Sequence, residues 1–238
     1  MVLTKNTPNI NFAEGAIILV DKPFEWTSFD VVKKLRNILS KITGIRKIKV
    51  GHAGTLDPLA TGLLIVCTGK ATKKIATIQD EMKKYDGIFK LGATTPSYDL
   101  ETEVDQTFST EHINNALIES IKSQFFGEIE QTPPIFSAIK KDGKRAYESA
   151  RKGIEIKLDA RKIKIYDLIF ELKENDELHF EVSCSKGTYI RTLANDVGKA
   201  LNSGAYLQAL RRTQIGDYKL DDAWKMEELI NFIKQTKD

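Results

Sequence analysis

Apolar residues recur along the chain at two different spacings, and each spacing predicts one type of element. Helical spacing is clearest after the capping signature Thr27-Ser28-Phe29-Asp30, where apolar residues between Val31 and Leu39 share one face. The same spacing predicts further helices that begin near Ala71 or lie over 113–125, 190–201 and 226–233.

Strand patterns lie between these helices. Ala16–Val20 and Gly62–Cys67 are short apolar runs that are typical of buried strands, and alternate residues from Tyr85 to Leu91 share one strand face. Ile163–Leu172 and Leu178–Cys184 predict a hairpin, because only five polar residues separate them. Neighbouring strands mixed with helices favour an α+β fold, with a central mixed, mostly antiparallel sheet flanked by helices.

Composition excludes several classes of protein. The chain has 238 residues, of which 41% are hydrophobic and 29% charged, as in globular proteins with one large or two small domains. Its longest apolar runs are far shorter than a membrane span, and its N-terminus has no secretory pattern. Cys67 and Cys184 form neither a CxxC motif nor a disulfide framework, which suits a reducing compartment. We therefore expect a soluble cytoplasmic protein without membrane contacts.

The net charge of +3 conceals strong segregation along the chain. Residues 1–75 hold 12 lysines and arginines against 5 acids, and residues 137–165 hold 10 against 4, whereas residues 76–136 hold 4 against 11. Two explanations fit this pattern, a basic surface that binds a polyanion and a chance clustering of solvated helices by sign.

Common catalytic and cofactor motifs are missing from the sequence. Gly69-Lys70 follows a predicted strand, but Leu64 and Ala71 occupy positions where a phosphate-binding loop needs glycine and serine or threonine. The sequence contains no GxGxxG, HExxH or GxSxG motif and no cysteine and histidine set with metal-ligand spacing. We therefore expect neither a metal nor a cofactor.

The segment Gly51–Gly62 is the most informative part of the sequence. Its three glycines and one proline predict a tightly shaped loop between a basic strand, Ile45–Val50, and the apolar strand that follows. Asp57 is its only acid, and a carboxylate among apolar residues needs a cationic partner from elsewhere in the fold. The alternative is that Asp57 merely opens a turn before Pro58.

This loop resembles the catalytic signature of the tRNA pseudouridine-55 synthases, which isomerise one T-loop uridine. Further segments resemble the family's boxes in the family's order, across roughly residues 15–216: Gly15–Pro23 with Trp26–Ser28, Gly69–Lys73, Lys84-Tyr85 with Leu91–Thr95 and Asp99, Gln131–Lys140, Cys184–Arg191 and Leu210–Arg212. The chain is identified on these segments as a member of that family.

The resemblance implies a role for each candidate site residue. Asp57 is expected to be the essential catalytic aspartate, as nucleophile or as base, and Arg191 the arginine that pairs with it. Tyr85 is expected to stack on the flipped uracil or to assist removal of the C5 proton. The family further implies substrate contacts by His52, Lys22, Lys73 and Tyr189. Lys22 and Lys73 would shape the site or reach phosphate.

The resemblance also implies how the chain is organised and what it binds. Residues 1–216 would form the catalytic domain, with residues 131–152 as an inserted basic arm that grips the T-arm of tRNA. A helix in that arm would present Lys144, Arg145 and Arg151 to phosphates. Residues 217–238 would form a short helical tail, too short for the RNA-binding PUA module of many bacterial members.

We weigh three functions against the sequence and expect the first. The first is a monomeric tRNA uridine isomerase that works without a protein partner. The second is a guide-RNA-dependent enzyme that modifies ribosomal RNA, and the third is a non-enzymatic module that folds the T-arm. An Asp57→Ala variant separates the first function from the third. Isomerisation should disappear in this variant, whereas RNA binding and folding assistance should survive.

Overall fold

The computed structural model describes residues 1–4, 10–137, 139–141, 144–146 and 158–235. The chain divides into two compact units, Met1–Tyr85 with Arg211–Asp238, and Asp86–Leu210. None of the helices in the described part of the chain combines the length and the hydropathy that a membrane crossing requires.

The described strands are β1 (Ile17–Lys22), β2 (Val50–His52), β3 (Thr61–Thr68), β4 (Lys83–Leu91), β5 (Ala93–Thr94), β6 (Gln106–Thr107), β7 (Gly127–Gln131), β8 (Lys140–Lys141), β9 (Lys144–Arg145), β10 (Arg161–Lys173), β11 (Glu177–Cys184), β12 (Ala205–Ile215), β13 (Tyr218–Lys219) and β14 (Trp224–Lys225). The described α-helices are α1 (Ser28–Thr43), α2 (Ile75–Asp80), α3 (Asn115–Lys122), α4 (Ile190–Ala200) and α5 (Met226–Gln235). Single 3₁₀ segments cover Gly69–Lys74, Ser123–Phe125 and Leu220–Asp222.

The first unit is built on the strand order β14-β1-β3-β12. β1 pairs antiparallel with β3 and parallel with β14, and β3 pairs parallel with the C-terminal part of β12. Ile18 and Leu64 face a core that includes residues of α1 and α5, while Leu19 and Leu63 face a second cluster. Burial on both faces explains why these two strands are uninterrupted apolar runs.

Helix α1 begins where the capping signature predicts. The Thr27 hydroxyl accepts a hydrogen bond from the Asp30 N–H at 3.0 Å, and the Thr27 N–H donates to Asp30 Oδ2 at 3.0 Å. This reciprocal capping box stabilises the helix by about 1 kcal/mol. The helix ends at Gly44, whose φ of 70° is left-handed. It also supplies Ser28, which supports the loop described below.

The second unit follows the strand order β12-β4-β11-β10-β7 and contains helices α3 and α4. β10 and β11 form the predicted antiparallel hairpin, in which Lys173 lies opposite Glu177. β7 is antiparallel to the beginning of β10, where Gln131 lies opposite Arg161. The α+β fold with a mixed, mostly antiparallel sheet is therefore confirmed.

Three local predictions need correction. Only Val50 of the expected basic strand Ile45–Val50 is in a strand, because the chain turns at residues 46–47. The helix expected from Ala71 begins as a 3₁₀ segment at Gly69 and becomes α-helical at Ile75. Lys144 and Arg145 lie in β9, which pairs with Lys140–Lys141, so the prediction of a helix at these two residues is wrong. Arg151 lies outside the described residues.

Candidate active site

The loop that carries Asp57 joins β2 to β3 in the first unit. Its backbone is fixed at both ends, because the Ala53 N–H donates to the Ile65 carbonyl at 2.8 Å and the Ala60 N–H donates to the Asp57 carbonyl at 3.1 Å. Ser28 at the start of α1 holds the middle, since its hydroxyl accepts from the Leu56 N–H at 2.9 Å and lies 3.2 Å from the Leu56 carbonyl. Asp57 is half-buried at the residue that follows this anchor.

A buried arginine lies beneath the same loop. Arg212 is 1% exposed, and its guanidinium donates to the carbonyls of Leu63 at 2.8 Å, Gly54 at 3.0 Å and Thr55 at 3.4 Å. Gly62 lets the backbone of Arg212 come close to β3, because a Cβ on Gly62 would lie 2.4 Å from the Arg212 carbonyl oxygen. The arginine therefore fixes the backbone that precedes Asp57.

A buried lysine supports the backbone that follows Asp57. Lys22 is 0% exposed, and its ammonium donates to the carbonyls of Pro23 at 2.8 Å, Trp26 at 2.5 Å and Pro58 at 3.2 Å. Burial lowers the pKa of Lys22 to about 8, and the Asp57 carboxylate acts in the opposite direction, as the largest charge effect on this group. Asp57 therefore has a nearby cation within its own unit.

The burial of Lys22 bears on the two alternatives expected for it, shaping the site or reaching phosphate. Its ammonium has no exposed surface and already donates to three carbonyls. The contact to Pro58 agrees with the first alternative, in which Lys22 shapes the site. We therefore treat Lys22 as a positioning residue of the loop.

The other candidates of the first unit lie on regular secondary structure before and after the loop. His52 ends β2, and its Nδ1 atom is buried. Burial lowers the pKa of His52, and the charge of Arg212 adds to this effect, so the imidazole is neutral near pH 7. Lys73 is exposed on the 3₁₀ segment after β3, and Tyr85 is half-buried in β4.

Arg191 lies in the second unit, in the first turn of α4. Its side chain is 4% exposed, its NH1 group donates to the Ser97 carbonyl at 3.3 Å, and its Nε lies 3.6 Å from Asp99 Oδ2. Asp99 is itself 5% exposed and is held by the Glu101 N–H, which donates to Oδ1 at 3.0 Å. A buried carboxylate thus orients the arginine that the family resemblance singles out.

Tyr189 precedes this helix and is fixed by a buried glutamine. The Tyr189 N–H donates to Gln131 Oε1 at 2.7 Å, and Gln131 Nε2 donates to the Tyr189 carbonyl at 3.0 Å. The guanidinium carbon of Arg161 lies 4.7 Å from the centre of the tyrosine ring. The structure therefore brings Tyr189 and Arg191 together in one unit, and Lys22, His52 and Asp57 together in the other.

Sequence reasoning missed Arg212, Asp99 and Arg161 as functional residues. Arg212 and Asp99 lie within segments that resemble family boxes, and that placement is the signal that could have found them. Lysine and arginine are mostly exposed in proteins, so sequence alone does not mark the buried ones.

The comparison with family models decides what kind of protein carries this arrangement. Residues 40–190 match the TruB family pseudouridylate synthase N-terminal domain, and residues 191–238 match the tRNA pseudouridylate synthase B C-terminal domain. The chain belongs to the TruB family of pseudouridylate synthases. Asp57 lies in the part of the chain that matches the N-terminal domain, and Arg191 is the first residue of the part that matches the C-terminal domain.

Curated relatives in the TruB family match almost the whole chain. The tRNA pseudouridine synthase B of Flavobacterium johnsoniae is 58% identical over 213 residues, which are 89% of this chain and 93% of the relative. The protein of the same name from Phocaeicola vulgatus is 53% identical over 229 residues, which are 96% and 97% of the two chains. The two matches therefore extend over most of this chain and most of each relative.

Solved structures show the same fold. A chain of a Cbf5-Nop10-Gar1 complex superposes with a TM-score of 0.70 at 29% identity. A chain of an H/ACA RNP bound to a substrate RNA containing 2'-deoxyuridine gives 0.66 at 27% identity. Each match covers 92% of this chain but only 54% and 53% of the other, so this chain spans about half the length of those proteins.

Proposed function

We propose that this TruB-family chain isomerises uridine 55 in the T loop of tRNA to pseudouridine. The observation that carries the proposal is the Asp57 loop, in which a half-buried carboxylate stands on a backbone clamped by Arg212 before it and Lys22 after it. The names of the relatives support tRNA as the substrate. We expect the chain to act as a monomer without a protein partner.

The proposed reaction is a rearrangement within one nucleotide. The N1–C1′ glycosidic bond breaks, the uracil rotates, and C5 bonds to C1′. C5 then loses its proton, and N1 finally carries one, so that no atom is gained or lost. Asp57 acts on the sugar or on its C2′ proton, as nucleophile or as base. Tyr85 supports the flipped uracil, and Arg191 is the cation that we assign to the Asp57 carboxylate in the reaction.

The substrate base must leave its stack before these groups can reach it. Flipping a stacked nucleotide costs a few kcal/mol, which contacts elsewhere on the RNA must supply. We assign part of this role to His52, Lys73 and Tyr189, and part to the basic arm over residues 131–152. The charge of residues 137–165, with 10 basic residues against 4 acids, supports that assignment.

Tritium release tests the reaction and the site together. A tRNA transcript labelled with [5-³H]uridine releases tritium when C5 bonds to C1′, so the wild-type protein should release it from an unmodified transcript. A transcript with cytidine at position 55 is the control and should release none above background. Binding without release from either transcript would contradict the proposal and favour the T-arm folding module.

Asp57→Asn is the first variant to measure. It keeps the size of the side chain and removes its charge, so we expect turnover to fall by at least about 10³-fold while RNA affinity stays near the wild-type value. Single-turnover rates at saturating protein and filter binding of the same transcript check the two parts. Normal turnover in this variant would contradict the assignment of Asp57.

A second variant tests the basic arm. Lys144 and Arg145 follow each other in β9. Reversing both charges in Lys144→Glu/Arg145→Glu removes two expected phosphate contacts, so RNA binding should weaken by about 10-fold or more. The single-turnover rate at saturating protein should stay unchanged. Unchanged affinity would remove the arm from the RNA-binding surface.

A further inference from the structure

Arg161 stands at a junction of the second unit that the mechanism above does not use. It is the first residue of β10 and lies opposite Gln131, the last residue of β7. These two residues flank, in sequence, the basic segment that begins after Gln131. Gln131 in turn holds the backbone of Tyr189 by two hydrogen bonds. Arg161 therefore lies at the base of the arm and beside a candidate active-site aromatic.

The guanidinium of Arg161 contacts the Tyr189 ring but does not have all its donors paired. Its central carbon lies 4.7 Å from the centre of that ring, which is a cation–π contact. Its Nε and NH2 atoms are shielded from solvent and have no hydrogen-bond partner within the described residues. Shielded donors of a charged group are unfavourable unless an acceptor meets them.

The loop at Gly187 borders the guanidinium at NH1. A Cβ built on Gly187 would lie 3.5 Å from Arg161 NH1, which is ordinary contact, and Gly187 has a left-handed φ of 80°. The Arg161 side chain as a whole is partly exposed. Its planar group with parallel N–H donors suits a phosphate or a carboxylate.

We propose that Arg161 binds a phosphate of the RNA substrate, with the Tyr189 ring holding its guanidinium in the orientation for that contact. The proposal rests on the proposed function, which makes RNA the anion that this molecule meets. The 10 basic residues among 137–165 favour a polyanion over an isolated carboxylate at the same place.

A second cation and tyrosine pair on the same strand provides a matched control. Lys164 lies three residues after Arg161 in β10, and its ammonium is 5.4 Å from the centre of the Tyr166 ring. Lys164 is exposed and does not have shielded donors without a partner in the described part of the chain. A general loss of positive charge from β10 should therefore affect Lys164→Gln as much as Arg161→Gln.

The experiment measures binding of an unmodified T-arm stem-loop RNA at several salt concentrations. We expect Arg161→Gln to bind at least about 10-fold more weakly than wild type, because a charge-assisted contact is lost. The slope of log K against log salt should become shallower by about 0.7–0.9, the change for one phosphate contact. Arg161→Lys should keep most of the slope, and Lys164→Gln should weaken binding clearly less than Arg161→Gln does.

Replacing single phosphates of the RNA by neutral methylphosphonates keeps the test independent of how the variants fold. One position should weaken binding by wild type and have no further effect on Arg161→Gln, and that position identifies the contacted phosphate. If no position behaves in this way, or if Arg161→Gln keeps the wild-type affinity and slope, the proposal is wrong. A slower single turnover with unchanged affinity would also overturn it, since Arg161 would then act only on Tyr189.

Failure of the proposed function has a different signature. Wild-type protein that binds the stem-loop but releases no tritium contradicts the isomerase proposal and leaves the Arg161 measurements readable. Wild-type protein that releases tritium while Arg161→Gln behaves as wild type contradicts only the inference about Arg161.

Discussion

The two units use buried cations in different ways. In the first unit, Lys22 and Arg212 each donate to three main-chain carbonyls. In the second unit, Arg191 meets one carbonyl and the carboxylate of Asp99. Carbonyl partners fix the path of a backbone, whereas a carboxylate partner fixes a side chain and compensates its charge.

This difference separates residues that support the backbone of a loop from a residue that orients a side chain. Arg212 and Lys22 hold the chain on the two sides of Asp57, so they determine where the aspartate stands. Asp99 orients the guanidinium of Arg191, whereas the backbone of Arg191 is held by the helix in which it lies. Variants that remove one kind of support should therefore fail in different measurements.

The largest effect should come from Arg212. Arg212→Met removes the donors of three main-chain carbonyls and empties a buried position, so we expect the free energy of unfolding to fall by about 3 kcal/mol and turnover to fall with it. The adjacent Arg211 is the control, because it is partly exposed and pairs with Asp21 at 2.9 Å. Arg211→Met should lower stability by no more than about 1 kcal/mol. If urea denaturation gave the same loss of unfolding free energy for both variants, the support that we assign to Arg212 would be contradicted.

A smaller effect, confined to catalysis, should come from Asp99. Asp99→Asn removes the carboxylate that orients Arg191, and the loss of one charged interaction predicts a turnover about 10- to 100-fold slower with unchanged RNA affinity. Asp105→Asn is the control, since Asp105 is exposed and accepts only from the Thr94 hydroxyl at 2.7 Å among its described side-chain contacts. Single-turnover rates beside binding constants separate the two roles. Weaker binding at an unchanged rate would show that Asp99 supports the RNA surface instead.

The smallest effect should be a pH dependence of the free energy of unfolding that Lys22 causes. Its pKa is about 8 in the folded protein and near 10.5 in the unfolded chain, so between these values the unfolded chain binds more protons. The stability contribution of Lys22 should therefore rise with pH, by about 1 kcal/mol between pH 7 and pH 9. Urea denaturation of wild type and Lys22→Met across this interval measures it. A difference between the two proteins that stays constant with pH would contradict the shifted pKa.

Local signals predicted most of the fold. The capping box at Thr27 and Asp30 acts within four residues, and the β10–β11 hairpin needs only a short polar connection. The apolar runs of β1 and β3 indicated burial before any partner strand was known. In each case the interaction that forms the element lies close in sequence or depends on side-chain hydrophobicity alone.

The errors came from weak or competing local signals. A helix was expected at Lys144 and Arg145, although Asp142-Gly143 stands between the paired residues Lys141 and Lys144 and is a dipeptide typical of hairpins. The supports of the site were missed for another reason. Arg191 and Ser97 are 94 positions apart, and the sequence near each residue contains no pattern that predicts their contact.

The clamp on the Asp57 loop also sets an order of events during protein synthesis. Arg212 and the Gly54 carbonyl that it binds are 158 positions apart. At about 5–20 residues per second, a ribosome needs roughly 8–30 s to make the intervening chain. A nascent chain therefore carries Asp57 long before the guanidinium that fixes the preceding backbone exists. The loop around Asp57 takes its final form only after the strand that brings Arg212 has been made.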